Sequence, residues 1–136
     1  MATFLKIYAV AFIAFLVIDL IWLGFISPGL YRKHLGFLMR GKPDWWVAGL
    51  FYLLFLAGLV FFVIHPAVEK QSWRYALLAG LFFGLVTYAT YDLTNQATMK
   101  GWPRVITVID LAWGSALCGT VSLITWWIIT RSGWVA

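Results

Sequence analysis

The 136-residue chain is 63% hydrophobic and only 11% charged, whereas soluble domains average roughly 45–50% apolar and about 25% charged residues. Too few polar side chains are present to cover a water-exposed surface, so the composition indicates an integral membrane protein, and a single cysteine excludes a disulfide-stapled fold. The net charge of +5 does not indicate nucleic acid as a partner, because the ten Lys and Arg residues are scattered among connecting segments, where they are placed to contact membrane lipids.

Four apolar stretches are long enough to cross the hydrocarbon layer, which takes about 20 residues of helix. They cover approximately residues 4–26, 45–64, 73–96 and 104–130. Backbone groups in lipid must pair within their own segment, so spans of this length are expected to be helical. The sequence therefore predicts an all-α, polytopic membrane protein, with one domain over residues 1–136 and four transmembrane helices in a bundle.

A short amphipathic helix is expected over about residues 28–40, between the first two spans. Ser27 resembles an N-cap, with Pro28 at the first helical position, and Gly41 with Pro43 supplies a stop. Apolar and basic side chains are interspersed through this segment, which is typical of a helix that lies flat in the membrane interface.

The connections define two faces of the bundle. Side A holds the termini and the 65–74 connection, and side B holds the 28–44 and 97–103 connections. Side B carries six Lys and Arg residues and side A four, an excess that favours side B as the cytoplasmic face. At side B, Asp44 is expected to cap the second span, and Trp102 is expected at the headgroup level.

Three of the five acidic residues, Asp19, Asp92 and Asp110, fall inside predicted spans. A charged side chain near a helix centre costs about 2.5–3.5 kcal/mol on insertion scales, so three cost up to about 10 kcal/mol without partners or water. Counted from the side-B ends of their helices they lie seven to nine residues in, or ~10–14 Å. Because neighbouring spans are antiparallel, these depths predict that the three carboxyl groups share one layer.

We interpret this layer as a polar cavity that opens toward side B. Carboxyl groups crowded in a poorly hydrated place disfavour their charged forms, and such groups suit the binding of a proton or a cation. Trp22 and Trp113 each follow an aspartate by three residues, so their rings are candidate walls for an organic cation.

A structural interpretation of the same acids stays open. In it, Asp92 only borders a shorter third helix, while Asp19 and Asp110 form ion pairs with arginines such as Arg32 or Arg104. The two interpretations differ in one observable feature. Only the structural one gives the buried acids basic partners within the chain.

Further polar residues are candidates for the same site. Tyr88 and Gln96 lie four residues before and after Asp92, on the same helix face. Asn95 belongs to the most polar stretch inside any span, and Thr107 lies one turn before the aspartate of the fourth span. Glycines recur on these faces of the third and fourth spans, which favours close packing of the two helices.

No metal site and no cofactor are predicted. The two histidines, His34 and His65, belong to opposite faces, and no metal-ligand spacing or nucleotide-binding motif occurs. Three carboxylates could hold a hard cation such as Mg²⁺ or Ca²⁺, but they have no ligand spacing of their own.

Two motifs carry a resemblance to a known family: YDLTNQATMKGWP at residues 91–103 and VIDLAWG at residues 108–114. Over essentially its whole length, the chain resembles an uncharacterised family of small bacterial inner-membrane proteins with a domain of unknown function. The resemblance implies a bacterial four-span protein in the inner (plasma) membrane and transfers no activity. Size and span number are also similar to those of small multidrug transporters, which work as dimers around a membrane glutamate, where the first span here has Asp19.

Our leading hypothesis is a membrane binding or transport protein. Asp19, Asp92 and Asp110 would form an acidic pocket for a proton, a small cation, or a cationic amphiphile or lipid. A second hypothesis is a membrane-embedded enzyme that acts on a lipid or isoprenoid with one protonated and one ionised carboxyl group. A third is a structural or assembly subunit of a membrane complex. Membrane lipids are the expected partners, and a homodimer stays open.

Overall fold

A computed structural model describes residues 2–39 and 42–133, and all regular secondary structure in this part of the chain is helical. Four continuous helical segments are long and apolar enough to span a membrane. They are Ala2–Leu38, Trp45–Glu69, Trp73–Thr98 and Arg104–Ser132. The predicted all-α polytopic class is confirmed, and each span extends two to twelve residues beyond the apolar stretch that predicted it.

The first segment contains two helices without a break between them. Helix α1 (Ala2–Ile21) continues through a π-helical turn at Trp22–Ile26 into α2 (Ser27–Leu35), and a short 3₁₀ turn follows. Ser27 has helical backbone angles, φ −61° and ψ −44°, and caps nothing. The predicted N-cap at Ser27 is therefore wrong, because α2 continues from α1 without a break, and the parts of that prediction that fall on Arg40 and Gly41 lie outside the described residues.

A proline explains why the helix widens instead of ending. In a regular helix the ring of Pro28 would clash with the carbonyl group four residues earlier. The amide of Ser27 instead donates to the carbonyl of Trp22, five residues back, which opens the turn just before the proline. The second span repeats this device, because its π-helical turn at Val60–Ile64 also ends two residues before a proline, Pro66.

The second segment consists of α3 (Trp45–Leu59), this π-helical turn and α4 (His65–Glu69). The predicted cap is confirmed: Asp44 has an extended backbone, and its Oδ1 accepts a hydrogen bond from the amide of Val47 at 3.3 Å. The cap satisfies one of the amide groups left free at the first turn of α3. It thereby fixes where the second span begins at side B.

The third and fourth spans are α5 (Trp73–Thr98) and α6 (Arg104–Ser132), which pack closely against each other. A β-carbon added to Gly84 would overlap the backbone carbonyl of Gly114, and one added to Gly114 would overlap the ring of Tyr88. Only glycine leaves room for this approach. The missing side chain of Gly114 therefore also determines where the Tyr88 ring lies.

The apolar core occupies the side-A half of the bundle, where α1, α3 and α6 meet. Ile7, Leu56 and Leu117 are among its buried members, together with Val63 and Ile129. These residues come from the beginning of α1 and from the second halves of the second and fourth spans, which are the parts nearest side A. The bundle is consequently closed toward side A, and its open space lies toward side B.

The connection between α5 and α6 is covered at side B. Trp102 is buried with Leu35 of α2 and Ile106 of α6, and its place at the headgroup level stays a prediction. Its indole Nε1 donates a hydrogen bond to Thr107 Oγ1 at 3.1 Å. These contacts pack Trp102 against α2 and the beginning of α6.

Candidate functional site

A cavity of about 560 Å³ lies in the side-B half of the bundle. Its lining comes from α1, α2, α3, α5 and α6 and includes Asp19, Asp92 and Asp110. The structure thus brings together in one cavity the three carboxyl groups that the depth count places in one layer. All three aspartate side chains are buried from the outer surface.

Asp92 and Asp110 form the pair of acids at the α5–α6 contact. They lie close enough for their charges to interact. Asp110 accepts a hydrogen bond from the hydroxyl group of Tyr31. Asp92 is fully buried, and neither of its carboxyl oxygens has a hydrogen-bond partner in the described part of the chain. A buried acid without a partner carries a desolvation cost that a proton or a cationic ligand would relieve.

Tyr31 contacts Asp110 although Asp19, the acid of α1, lies far from it along the first segment. On a straight helix Tyr31 would lie about 18 Å beyond Asp19, at 1.5 Å per residue. Its hydroxyl group nevertheless meets an acid of the same cavity. Ser27, Tyr31 and Leu35 follow one another at intervals of four residues and all line the cavity, so one face of α2 forms its side-B wall.

Asp19 is held apart from the acidic pair by other partners. Its Oδ2 accepts a hydrogen bond from the hydroxyl group of Tyr52 at 3.1 Å, and the indole of Trp113 is also within interaction distance. Tyr52 lies on α3, so this bond connects the first span to the second. The cavity therefore has two acidic positions, one at Asp19 and one at the Asp92–Asp110 pair.

Replacing Tyr52 with phenylalanine is expected to lower the free energy of unfolding by about 1–3 kcal/mol, because Asp19 would lose a donor inside the protein. Thermal unfolding of the purified protein in nanodiscs measures the change. Tyr75→Phe is the matched control, since the hydroxyl group of Tyr75 is at a long 3.4 Å from the carbonyl of Phe62 at an exposed position. Equal melting temperatures for the two variants would show that the Tyr52 bond contributes nothing.

The structural interpretation of the acids does not agree with this geometry. Helix α5 continues past Asp92 to Thr98, so Asp92 does not border a shortened helix. Neither Arg32 nor Arg104 forms a salt bridge with an aspartate of the cavity in residues 2–39 and 42–133. Among the described residues that line the cavity there is no Lys, Arg or His, so the three acids have no basic counterpart there.

Trp22 and Trp113 both line the cavity, but they stack on each other. Their ring centroids are 4.3 Å apart and their planes differ by 10°. Each ring therefore covers one face of the other, and the two form a single wall rather than two opposing walls. Further aromatic faces come from Phe51 and Phe55 of α3 and from Tyr88 of α5, whose ring lies edge-on to Phe55 at 6.2 Å.

Three of the residues singled out from the sequence do not line the cavity. Asn95 and Gln96 are half-buried near the end of α5 and are not among the residues that line the cavity. Thr107 is buried, and it accepts the hydrogen bond from Trp102 described above. Its hydroxyl group thus holds the α5–α6 connection in place.

Two tyrosines that contact the acids were not predicted from the sequence as site residues. Tyr52 has the only hydroxyl group within residues 45–64, and it lies eight residues after the cap at Asp44, or about 12 Å deep. That depth matches the layer of the aspartates, so the same count would have found it. No such count predicts Tyr31, because it lies twelve residues after Asp19 and its contact with Asp110 depends on how α2 packs.

The acids are not arranged as a metal centre. Within the described ranges, no group of three or more His, Cys, Asp or Glu side chains is placed to hold a metal ion. A hard cation such as Ca²⁺ takes six to eight oxygen ligands, whereas this lining is mainly aromatic and aliphatic. The cavity is chemically suited to a larger, partly apolar occupant with a positive charge.

Comparison with known proteins supplies a family. The model of a family described as "Predicted membrane protein (DUF2177)" matches residues 4–127, nearly the whole chain. No curated protein and no solved structure matches it. The chemistry of the cavity therefore has to be argued from its own residues.

Proposed function

The chain belongs to the DUF2177 family of membrane proteins, and from this membership and the cavity we propose that it binds a cationic amphiphile, as a binding or transport protein of a bacterial inner membrane. The ligand class is a protonated or quaternary amine with an apolar body. A proton competes with such a ligand for the same carboxyl oxygens.

The main support for this proposal is that the three aspartates of the cavity have no positive charge beside them in its described lining. Three acids share a cavity whose described lining contains no base, and the neighbour of Asp92 in the described part of the chain is another acid, Asp110. Buried charges in proteins are normally paired, and ionisable residues inside membranes usually mark a substrate or ion pathway. A cationic ligand would supply the missing positive charge.

The size and lining of the cavity favour an organic cation over a bare ion. Its volume of about 560 Å³ falls within the 300–1,000 Å³ that is typical of small-molecule sites. The stacked rings of Trp22 and Trp113 present an aromatic face beside the acids, as cation recognition requires. Leu23, Leu35 and Met39 add apolar surface toward side B, which suits a hydrocarbon tail.

Equilibrium binding of radiolabelled tetraphenylphosphonium to the purified protein tests the proposal. We expect saturable binding, and we expect Asp110→Asn to weaken it at least tenfold, because a desolvated charge loses its partner. Glu69→Gln is the control, since Glu69 is an acid outside the cavity that pairs with His65. Undiminished binding in Asn variants of all three cavity aspartates would overturn the proposal.

Proteoliposomes separate binding from transport. If the protein transports its ligand, uptake of the same probe will follow an imposed proton gradient and will be lost in the Asp110→Asn variant. If it only binds, the proteoliposomes will retain the probe in a stoichiometric amount without net uptake.

A membrane-embedded enzyme is the second candidate, and one observation favours it. Asp92 and Asp110 lie close together, and a pair of interacting carboxyl groups can share one proton and act as acid and base. The substrate would be a lipid or isoprenoid that enters from the membrane. Mass spectrometry of lipids from cells with and without the gene distinguishes the candidates, because only an enzyme changes covalent structure.

A further inference from the structure

A second cavity, of about 670 Å³, opens on the outside of the bundle near side A. It lies between the beginning of α5 and the end of α6, far from the acidic cavity. Trp73 of α5 and Trp127 of α6 line it, and Leu123, Ile124 and Ile128 form an apolar strip along α6. We propose that this groove binds one anionic phospholipid, with the phosphate group at side A and an acyl chain along the strip.

Two arginines lie near the tryptophans of the groove, and one of them, Arg131, lines it. The guanidinium group of Arg131, which lines it, lies 5.9 Å from the ring centroid of Trp127. The guanidinium group of Arg74 lies 5.6 Å from the ring centroid of Trp73 on the opposite side. A guanidinium group that stacks on a ring keeps its in-plane N–H donors available, and these match the geometry of a phosphate group.

No acidic side chain lines this groove in the described part of the chain. Glu69, the acid of the nearby connection, forms a salt bridge with His65 at 2.9 Å. Within residues 2–39 and 42–133, neither Arg131 of the groove nor the nearby Arg74 forms a salt bridge with an acid. A phosphatidylglycerol-type headgroup would neutralise this charge, whereas a choline or ethanolamine headgroup would add another cation beside it.

The groove also has two tryptophans at helix ends, where lipid headgroups are expected, and one of its walls is held by a hydrogen bond. Trp rings favour the headgroup and glycerol level of a membrane, and Trp73 and Trp127 are partly exposed at the ends of their helices. Trp126 lines the groove too, and its indole Nε1 donates a hydrogen bond to the carbonyl of Ala67 at 3.1 Å. This bond connects α6 to α4 and holds the wall in place.

Native mass spectrometry tests the proposal. Delipidated protein is mixed with equal amounts of phosphatidylglycerol and phosphatidylcholine of the same chain length, and the retained lipids are counted. We expect one phosphatidylglycerol to be retained at least fivefold in excess of phosphatidylcholine. The double variant Arg74→Gln/Arg131→Gln is expected to lose this preference, whereas Arg104→Gln, which removes a side-B arginine, keeps it.

Three outcomes would overturn the proposal: equal retention of both lipids by the unmodified protein, a preference that survives in the double variant, or a preference lost equally in Arg104→Gln. Glycerophosphoglycerol, the headgroup without acyl chains, is added as a competitor. If it displaces the lipid at equal concentration, the apolar strip contributes nothing and the groove is not a lipid site. Tetraphenylphosphonium binding in the acidic cavity is unaffected by these variants, so the two proposals fail independently.

Discussion

Gly84→Ala is expected to lower the free energy of unfolding by about 3 kcal/mol, at the upper end of the usual range for overpacked cores. The added methyl group would overlap the backbone carbonyl of Gly114 and the neighbouring Cα of Ser115. Backbone atoms cannot rotate away as a side chain can, so α5 and α6 would have to separate. Titration with a denaturing detergent, followed by circular dichroism, measures the loss.

Gly49→Ala on α3 is the matched control for this change, because a β-carbon there meets nothing within 4 Å. Alanine favours a helix over glycine by about 1 kcal/mol, so the control is expected to be neutral or slightly stabilising. A Gly84→Ala variant as stable as the control would mean that the close contact between α5 and α6 is not present in the folded protein.

Asp92→Leu is expected to have two opposite effects: a gain of about 2–4 kcal/mol in the free energy of unfolding and a loss of at least thirtyfold in affinity for tetraphenylphosphonium. The gain follows from the difference between leucine and aspartate on membrane insertion scales, since no hydroxyl, amide or basic group in the described part of the chain donates a hydrogen bond to Asp92. The adjacent cavity leaves room for the larger side chain. The loss follows from removing a charge that the ligand needs.

Asp44→Asn is the control for this variant. It also removes one negative charge, but asparagine caps a helix about as well as aspartate, so both stability and affinity are expected to stay unchanged. A marked loss of stability in Asp92→Leu would show that Asp92 supports the fold. Unchanged affinity would show that Asp92 takes no part in ligand binding.

The opposite signs matter for the interpretation of the acids. Replacing a residue that stabilises the fold is expected to lower the free energy of unfolding. Replacing a residue that serves ligand binding commonly raises it, because such residues often destabilise the folded protein. Asp19 differs from Asp92 in this respect, because Tyr52 donates to it and joins two spans through it. We therefore expect the stability gain at Asp92 and not at Asp19.

The aspartates and the tyrosines show which residues of the cavity can be predicted by counting residues from the helix ends. Asp19, Asp92 and Asp110 line one cavity, as counting residues from the helix ends led us to expect. Tyr52 lies at the same depth and could have been included. Asn95 was chosen for the polarity of its stretch and Gln96 for its helix face, and neither lines the cavity.

The sequence by itself determined the membrane class, the four helical spans and the depth of each acid. Composition sets the class, and in lipid each span must satisfy its own backbone groups. The depth of each acid follows from the fixed rise per residue of a helix.

Only the tertiary structure decided which side chains each acid contacts. The contact of Tyr31 with Asp110 depends on how α2 packs near α6, and the stacking of Trp22 on Trp113 depends on how α1 and α6 are rotated against each other. Both contacts result from packing between segments that are far apart in the chain. Counting residues along one helix cannot predict such packing.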